Sequence, residues 1–349
     1  MYLLNNTANR TVIVNKREHL FFSGYSYLGI HHHPNFKRKL QENLENYGMF
    51  FPSSRISNTQ LSIYNKVEVF LNQHFDKLIT PYQTALFGNG FLSGQAAQKL
   101  FKLSEKTFVA PNTHSAISND LNNTSRTIWI DQLLNDVNNN NYSNILIKSD
   151  SVDVLKSEIN DFSFLKQINS ICKIDVLIDD SHGIGLIGNN GSGIVSFLPK
   201  LKNVQYHFNY SLSKSYGIPA GAFSSSSLHI EQIKQQPEFT ASTPPIPLYL
   251  QCFIDEFETY NQQRILLENN IQFFARKTTH IPLKNNPSLP IFILNSNINQ
   301  EVLKEHNIII SSFSYPAENG EKYNRIVLNS LHTHQDLDYL ISVLQKAIP

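Results

Sequence analysis

Residues 210–223 read YSLSKSYGIPAGAF. An apolar, alternating run from Val204 to Tyr210 leads into them, the pattern of a strand. Lys214 then sits among small and hydroxyl side chains, with Gly217, Pro219 and Gly221 behind it. A lysine on a tight loop at a strand end is poorly placed for a solvated surface role. It is well placed to reach into a pocket, where its amine can form an imine with a carbonyl compound. Taken alone, the stretch reads more readily as an ordinary loop lysine beside a glycine turn.

Residues 176–193, VLIDDSHGIGLIGNNGSG, change that balance. The apolar run Ile174 to Ile178 ends in Asp179 and Asp180, followed by His182 and a series of glycines. In parallel α/β sheets, ligands gather at the carboxyl ends of strands. Asp179 stands at such an end, 35 positions ahead of Lys214. An imine-forming lysine and a buried carboxylate are what pyridoxal phosphate (PLP) needs. Its ring is an electron sink only while the ring nitrogen is protonated, and a carboxylate partner holds that proton. Either element alone reads as a strand followed by a turn; together they point to PLP chemistry.

In this order, DDSHGIGLIGNNGSG and SLSKSYGIPAGAF resemble the α-oxoamine synthase family of PLP-dependent enzymes, and the resemblance runs from about Leu20 almost to the C-terminus. It implies an α/β protein of the PLP-dependent transferase fold type I, a large domain with a mostly parallel central sheet plus a small C-terminal α+β domain. The expected division is an N-terminal segment over 1–40, the PLP-binding domain over 41–240, and a linker helix with the small domain over 241–349. Members of the family join an amino acid to an acyl thioester, on coenzyme A or acyl carrier protein, and lose carbon dioxide. The branch favoured here makes the biotin precursor from alanine and a pimeloyl thioester. Glycine-using ligases and synthases of α-aminoketone signals are rivals, as are a fold-type I aminotransferase and a relative without catalysis.

The resemblance also implies roles. Lys214 carries the cofactor, Asp179 pairs with its ring nitrogen, His182 bonds its phenolic oxygen and His114 stacks on its ring; these four form the catalytic set, and Asp180 is structural. Gly90 and Phe91, in GNGFLSG, hold the phosphate, which agrees with the general suitability of a glycine turn at a helix N-terminus for anions. Ser211 lies near the phosphate, and Ser151 is the candidate for a further cofactor serine. Thr240, in FTASTPP, reaches the cofactor of a neighbouring subunit, which implies a homodimer with active sites at the interface. Arg325 grips the amino acid carboxylate, a task that suits the guanidinium fork. Ser314 lies close to the substrate. Tyr25, just before Tyr27-Leu28-Gly29, stands where relatives carry a substrate-binding asparagine. The chain also starts late for this family, so part of the usual substrate entrance is expected to be missing or remade.

Composition narrows the classes. With 349 residues, 41% of them hydrophobic, the chain can bury a large core as two domains or one large α/β unit. A net charge of +1 makes no electrostatic case for nucleic acid or an anionic membrane surface. Cys172 and Cys252 are too few for a disulfide framework and fit a reducing cytosol. No apolar run is long enough to span a membrane, and MYLLNNTANR lacks a signal-peptide core, so a cytoplasmic location is expected. His31 to His33 read as a polar turn before a helix, and no metal is expected.

The remaining pattern gives strands at Thr11–Val14, His19–Phe22, Thr84–Phe87, Thr107–Ala110, Thr127–Ile130, Asn144–Ile147, Pro290–Leu294, Ile308–Ser311 and Arg325–Leu328. Helices are expected from Pro34 to Gly48, with Phe36, Leu40 and Leu44 inward, and after Ser62 as N-cap. A long one is expected over about 246–272, and a last one over Gln335–Ile348.

Overall fold

The computed structural model describes residues 2–73, 81–120, 122, 124–315 and 318–348. In chain order its strands are β1 (Thr11–Val14), β2 (Arg17–Phe22), β3 (Gln83–Phe87), β4 (Lys106–Val109), β5 (Asn144–Asp150), β6 (Val152–Asp153), β7 (Glu158–Ile159), β8 (Lys173–Asp179), β9 (Val204–Ser211), β10 (Gly221–Ser225), β11 (Leu283–Lys284), β12 (Ile291–Leu294), β13 (Ile308–Tyr315) and β14 (Glu321–Val327). Its helices are α1 (Pro34–Tyr47), α2 (Ser62–Asn72), α3 (Gly90–Gln98), α4 (Arg126–Asn139), α5 (Ser227–Ile233), α6 (Pro237–Thr240), α7 (Pro247–Asp255), α8 (Phe257–Lys277), α9 (Gln300–Glu305) and α10 (His334–Ala347).

Among the described residues the central sheet runs β3-β10-β9-β8-β5-β4. Strands β4, β5, β8 and β9 are parallel, and β10 runs against both β9 and β3. This is the mostly parallel α/β sheet the sequence implies. Its middle strands are buried nearly throughout, as sheets covered on both faces require. Alternation along the strands divides the core. Leu146 and Leu177 pack with Phe87, Phe223 and Ile233 on one side, while Ile145, Ile147, Val176 and Ile178 face the larger cluster on the other.

The second sheet runs β1-β2-β13-β14-β12-β11. Its order shows that the N-terminal hairpin is an edge of the C-terminal sheet: β2 pairs in parallel with β13, Leu20 opposite Ile308. Helix α10 closes this layer. Thr333 and Asp336 form a capping box at its start, and Leu337, Leu340, Ile341 and Leu344 are buried along one face.

Several elements differ from the sequence reading. Thr127–Ile130 is the first turn of α4, not a strand. Ser125 caps the helix by accepting from the Ile128 N–H, and Trp129, Leu133 and Val137 recur every four residues on its buried side. Leu61, not Ser62, is the N-cap of α2. In α1 the inward positions are Phe36 and Asn43, and Leu44 is exposed, because Asn43 donates to the Cys252 sulfur at 3.3 Å and turns that stripe toward α7. The long helix breaks at Glu256, whose carboxylate accepts from the Thr259 hydroxyl at 2.8 Å and starts α8 afresh.

Candidate active site

The carboxyl ends of the parallel strands carry the polar residues. Asp150 ends β5, Asp179 ends β8 and Ser211 ends β9. Asp150 and Asp179 are direct register partners, as are Asp179 and Asn209. The sheet therefore sets two carboxylates and an amide side by side along one edge.

Asp179 is buried and fixed through both oxygens. Oδ2 accepts from the Asn209 side-chain amide at 2.9 Å, and Oδ1 accepts from the Ser181 N–H at 3.0 Å. Asn209 is buried as well. Its amide also donates to the Gly90 carbonyl at 3.1 Å, and its oxygen accepts from Ser93 at 2.5 Å, which ties the carboxylate to the start of α3. There the backbone approaches closely. A Cβ on Gly90 would stand 2.6 Å from Ser211 Cα, and one on Gly221 would stand 2.2 Å from the Asn89 backbone. Asn89 caps α3 by accepting from the Leu92 N–H. Gly90 and Ser211 are thus brought together, while the Phe91 side chain points outward, 52% exposed.

Lys214 follows β9 on the loop. It is half-buried, and burial lowers its amine below the ordinary lysine range against the opposing attraction of Asp179 and Asp150. Asp150, next to the candidate Ser151, has no role assigned from sequence. Its Oδ1 accepts from the His114 N–H at 2.9 Å, and burial next to Asp179 raises its carboxyl well above the usual range. Ser151 is fully buried next to Asp180. His114 itself is exposed, and its Nδ1 accepts from the Ala116 N–H at 3.1 Å.

His182 bonds the Tyr27 hydroxyl through Nδ1 at 2.9 Å. Burial and the nearby cations Lys214 and Arg325 push its pKa well down, so the ring is neutral. In the tautomer whose Nδ1 accepts from the Tyr27 hydroxyl, the imidazole proton sits on Nε2, where it can be given to an acceptor. Tyr27 was not singled out in the sequence, where it reads as part of a Tyr-Leu-Gly turn.

Arg325, in β14, is the largest fully buried side chain described. It donates to the Val154 carbonyl at 2.8 Å and to the Tyr25 hydroxyl, and its Nε has no partner. No carboxylate pairs with it among the described residues. Tyr25 also sets its ring edge-on to His182, with centroids 5.0 Å apart, so the Arg325 and Lys214 regions adjoin.

Two expected residues fall elsewhere. Register pairs Ser311 with Arg325 and Ser314 with Lys322, so strand alternation puts Ser314 on the face away from Arg325. Ser314 is therefore not gathered with Arg325 in this chain. Thr240 lies in α6, with its hydroxyl on the Gln236 carbonyl, and is not gathered with these residues within one chain.

Asp180 performs the structural part. Burial raises its carboxyl to about 7, against the Ser151 hydroxyl and the Ile194 N–H, which donates to Oδ2 at 3.1 Å. The turn closes around it so tightly that a Cβ on Gly183 or Gly193 would stand 2.0 Å from its oxygens. Because the folded carboxyl holds its proton to higher pH than an unfolded aspartate, its contribution to stability is present at low pH and falls as pH rises through about 7. Replacing Asp180 with Asn is expected to flatten the loss of stability between about pH 4 and about pH 7. Urea unfolding at several pH values checks this, and an unchanged slope would contradict it.

No protein-family model matches the chain. Curated relatives span almost all of it. An 8-amino-7-oxononanoate synthase of Petrotoga mobilis is 23% identical, covering 98% of this chain and 92% of its own length. A serine palmitoyltransferase of Bacteriovorax stolpii is 22% identical, over 99% and 86% respectively. Among solved structures, a Sphingomonas wittichii serine palmitoyltransferase superposes with a TM-score of 0.82 at 15% identity, covering 99% of this chain and 91% of that one. An 8-amino-7-oxononanoate synthase from Francisella tularensis gives 0.71 at 21% identity, over 94% and 97%. In fold, and in sequence along nearly its whole length, the chain is similar to the α-oxoamine synthases.

Proposed function

We propose that the protein is a PLP-dependent acyltransferase of the α-oxoamine synthase type, condensing an amino acid with an acyl thioester and releasing carbon dioxide. The observation that carries the reading is the desolvated Lys214 amine beside the rigidly held Asp179, at the carboxyl edge of a parallel sheet. The donor set fits PLP. A lowered amine suits imine formation, a fixed carboxylate suits a cationic ring N–H, and the close Gly90–Ser211 approach at the start of α3 suits a phosphate.

When bound, PLP supplies an aldehyde for the amine and a ring that draws off the electron pair left on the amino acid. The chain's own residues do the rest. Lys214, with its amine free and desolvated, takes the α-proton of the amino acid as general base. Asp179 holds a proton at the ring nitrogen without moving, because Asn209 and the Ser181 N–H occupy both of its oxygens. Neutral His182 offers a hydrogen bond from Nε2, and Arg325 supplies the positive charge for the substrate carboxylate.

Within this reading we favour alanine and a pimeloyl thioester, the 8-amino-7-oxononanoate synthase reaction of biotin biosynthesis, supported by the curated relatives of that name. The serine palmitoyltransferase relative and structural neighbours support a serine-using rival. A cytoplasmic homodimer, with Thr240 serving the partner's site, completes the reading. Met49, Phe50 and Ile56 are exposed apolar side chains that a partner would cover. Both cysteines are free, and among the described residues no helix is long and apolar enough to cross a membrane.

The test is a matrix of amino acids against acyl thioesters on coenzyme A and acyl carrier protein, read by thiol release. Alanine with pimeloyl donors should give the fastest release. Release with serine and long-chain donors instead would move the protein to the rival branch, and release from no pair would remove the acyltransferase reading.

A further inference from the structure

The guanidinium of Arg325 is closed off. The residue is 1% exposed, although it has no acidic partner among the described residues. Phe313 lies on it, 4.7 Å from ring centroid to Cζ, and Tyr25 lies on it at 5.2 Å. One terminal nitrogen donates to the Val154 carbonyl, the other to the Tyr25 hydroxyl, and Nε faces no acceptor. Of these neighbours, Phe313 and Val154 belong to β13 and the stretch between β6 and β7. Tyr25 comes from the bend after β2, and it is 37% exposed. Gly24, just before it, has φ +75, a conformation that glycine adopts freely.

We propose that Tyr25 is the gate of the Arg325 site: its hydroxyl occupies the position a ligand's carboxylate must take, and the ring must swing out before that carboxylate binds. The proposal rests on Arg325 as the carboxylate site and goes beyond it by assigning the selectivity step to Tyr25. A buried guanidinium without an anion is costly to keep unsolvated. A neutral hydroxyl and an aromatic face offset part of that cost and yield to a true carboxylate, whose charge-assisted bidentate pairing is stronger. Only the open fraction of molecules is competent to bind, so the apparent affinity is the intrinsic one reduced by that fraction. The ring's place beside His182 also means that the swing clears room next to the Lys214 region.

The experiment compares the wild type with Tyr25→Phe and Tyr25→Ala, titrated calorimetrically with acetate and with L-alanine, on protein without cofactor and on the PLP-loaded enzyme. Tyr25→Phe deletes one oxygen and keeps the ring, so it tests the hydrogen bond even if Tyr25→Ala disturbs folding. Loss of a hydrogen bond to a charged group should raise the open population and tighten carboxylate binding about tenfold in Tyr25→Phe, and further in Tyr25→Ala. Equal or weaker binding by Tyr25→Phe overturns the gate, as does the absence of carboxylate binding in all three proteins. PLP attachment to Lys214 is scored separately by mass after borohydride reduction. A failure there removes the functional reading, while the titration without cofactor still decides the gate.

Discussion

Lys214→Ala will lose covalent retention of PLP and fall in turnover by at least about a thousandfold, because one side chain is asked to supply both an imine-forming nucleophile and a general base. Mutations that remove either role alone cost orders of magnitude. The burial that lowers the amine is a property of the site, so an added small amine should restore part of the proton-transfer rate and none of the covalent attachment. Borohydride reduction followed by peptide mass analysis measures the first effect, and thiol release measures the second. A variant that turns over at the wild-type rate would remove Lys214 from the chemistry.

Asp179→Asn is the second large effect, expected at about a hundredfold to a thousandfold in turnover, the range seen when a preorganised electrostatic partner is removed. The substitution keeps the shape and removes the charge. It also puts an amide NH2 where one of two oxygens now accepts, so either the Asn209 amide or the Ser181 N–H loses its acceptor. Retained PLP with slow turnover is the expected pattern. An accompanying Asn209→Ala change should add little, because the two residues act as one unit. Equal turnover of wild type and Asp179→Asn would mean that Asp179 only supports the strand end.

These two residues were legible in the sequence because each ends an apolar strand in a loop of small residues. Their support was not. Asn209 is a polar residue in an alternating strand, where it reads as a solvent-facing position; only the register with Asp179 shows that it points inward. Asp150 carries no local signal; its parallel pairing with Asp179 on β8 brings it to the site. Strand β10 was overlooked because Gly221, Ala222 and two serines carry no strand pattern. It pairs on both sides because small residues let the Asn89 turn approach. Thr127, Ile128 and Ile130 favour a strand by their branching, yet the Ser125 cap and the four-residue spacing of Trp129, Leu133 and Val137 prevail. Tyr25 could be placed by resemblance, whereas its bond to Arg325 joins two ends of the chain that no local pattern connects.

The parallel pairing of Leu20 with Ile308 has a consequence for biosynthesis. A ribosome completes the Asp179 strand and the Lys214 loop long before β13 emerges, so a nascent chain can assemble the cofactor half of the molecule while its first strands wait for a template. The Ser330 N–H, which donates to the Tyr27 carbonyl at 2.9 Å, fastens the same N-terminal turn from still later in translation. Chains arrested before β13, which lack Arg325, should therefore acquire the central sheet alone, and the slowest folding event should be the docking of the oldest part of the polypeptide onto the youngest.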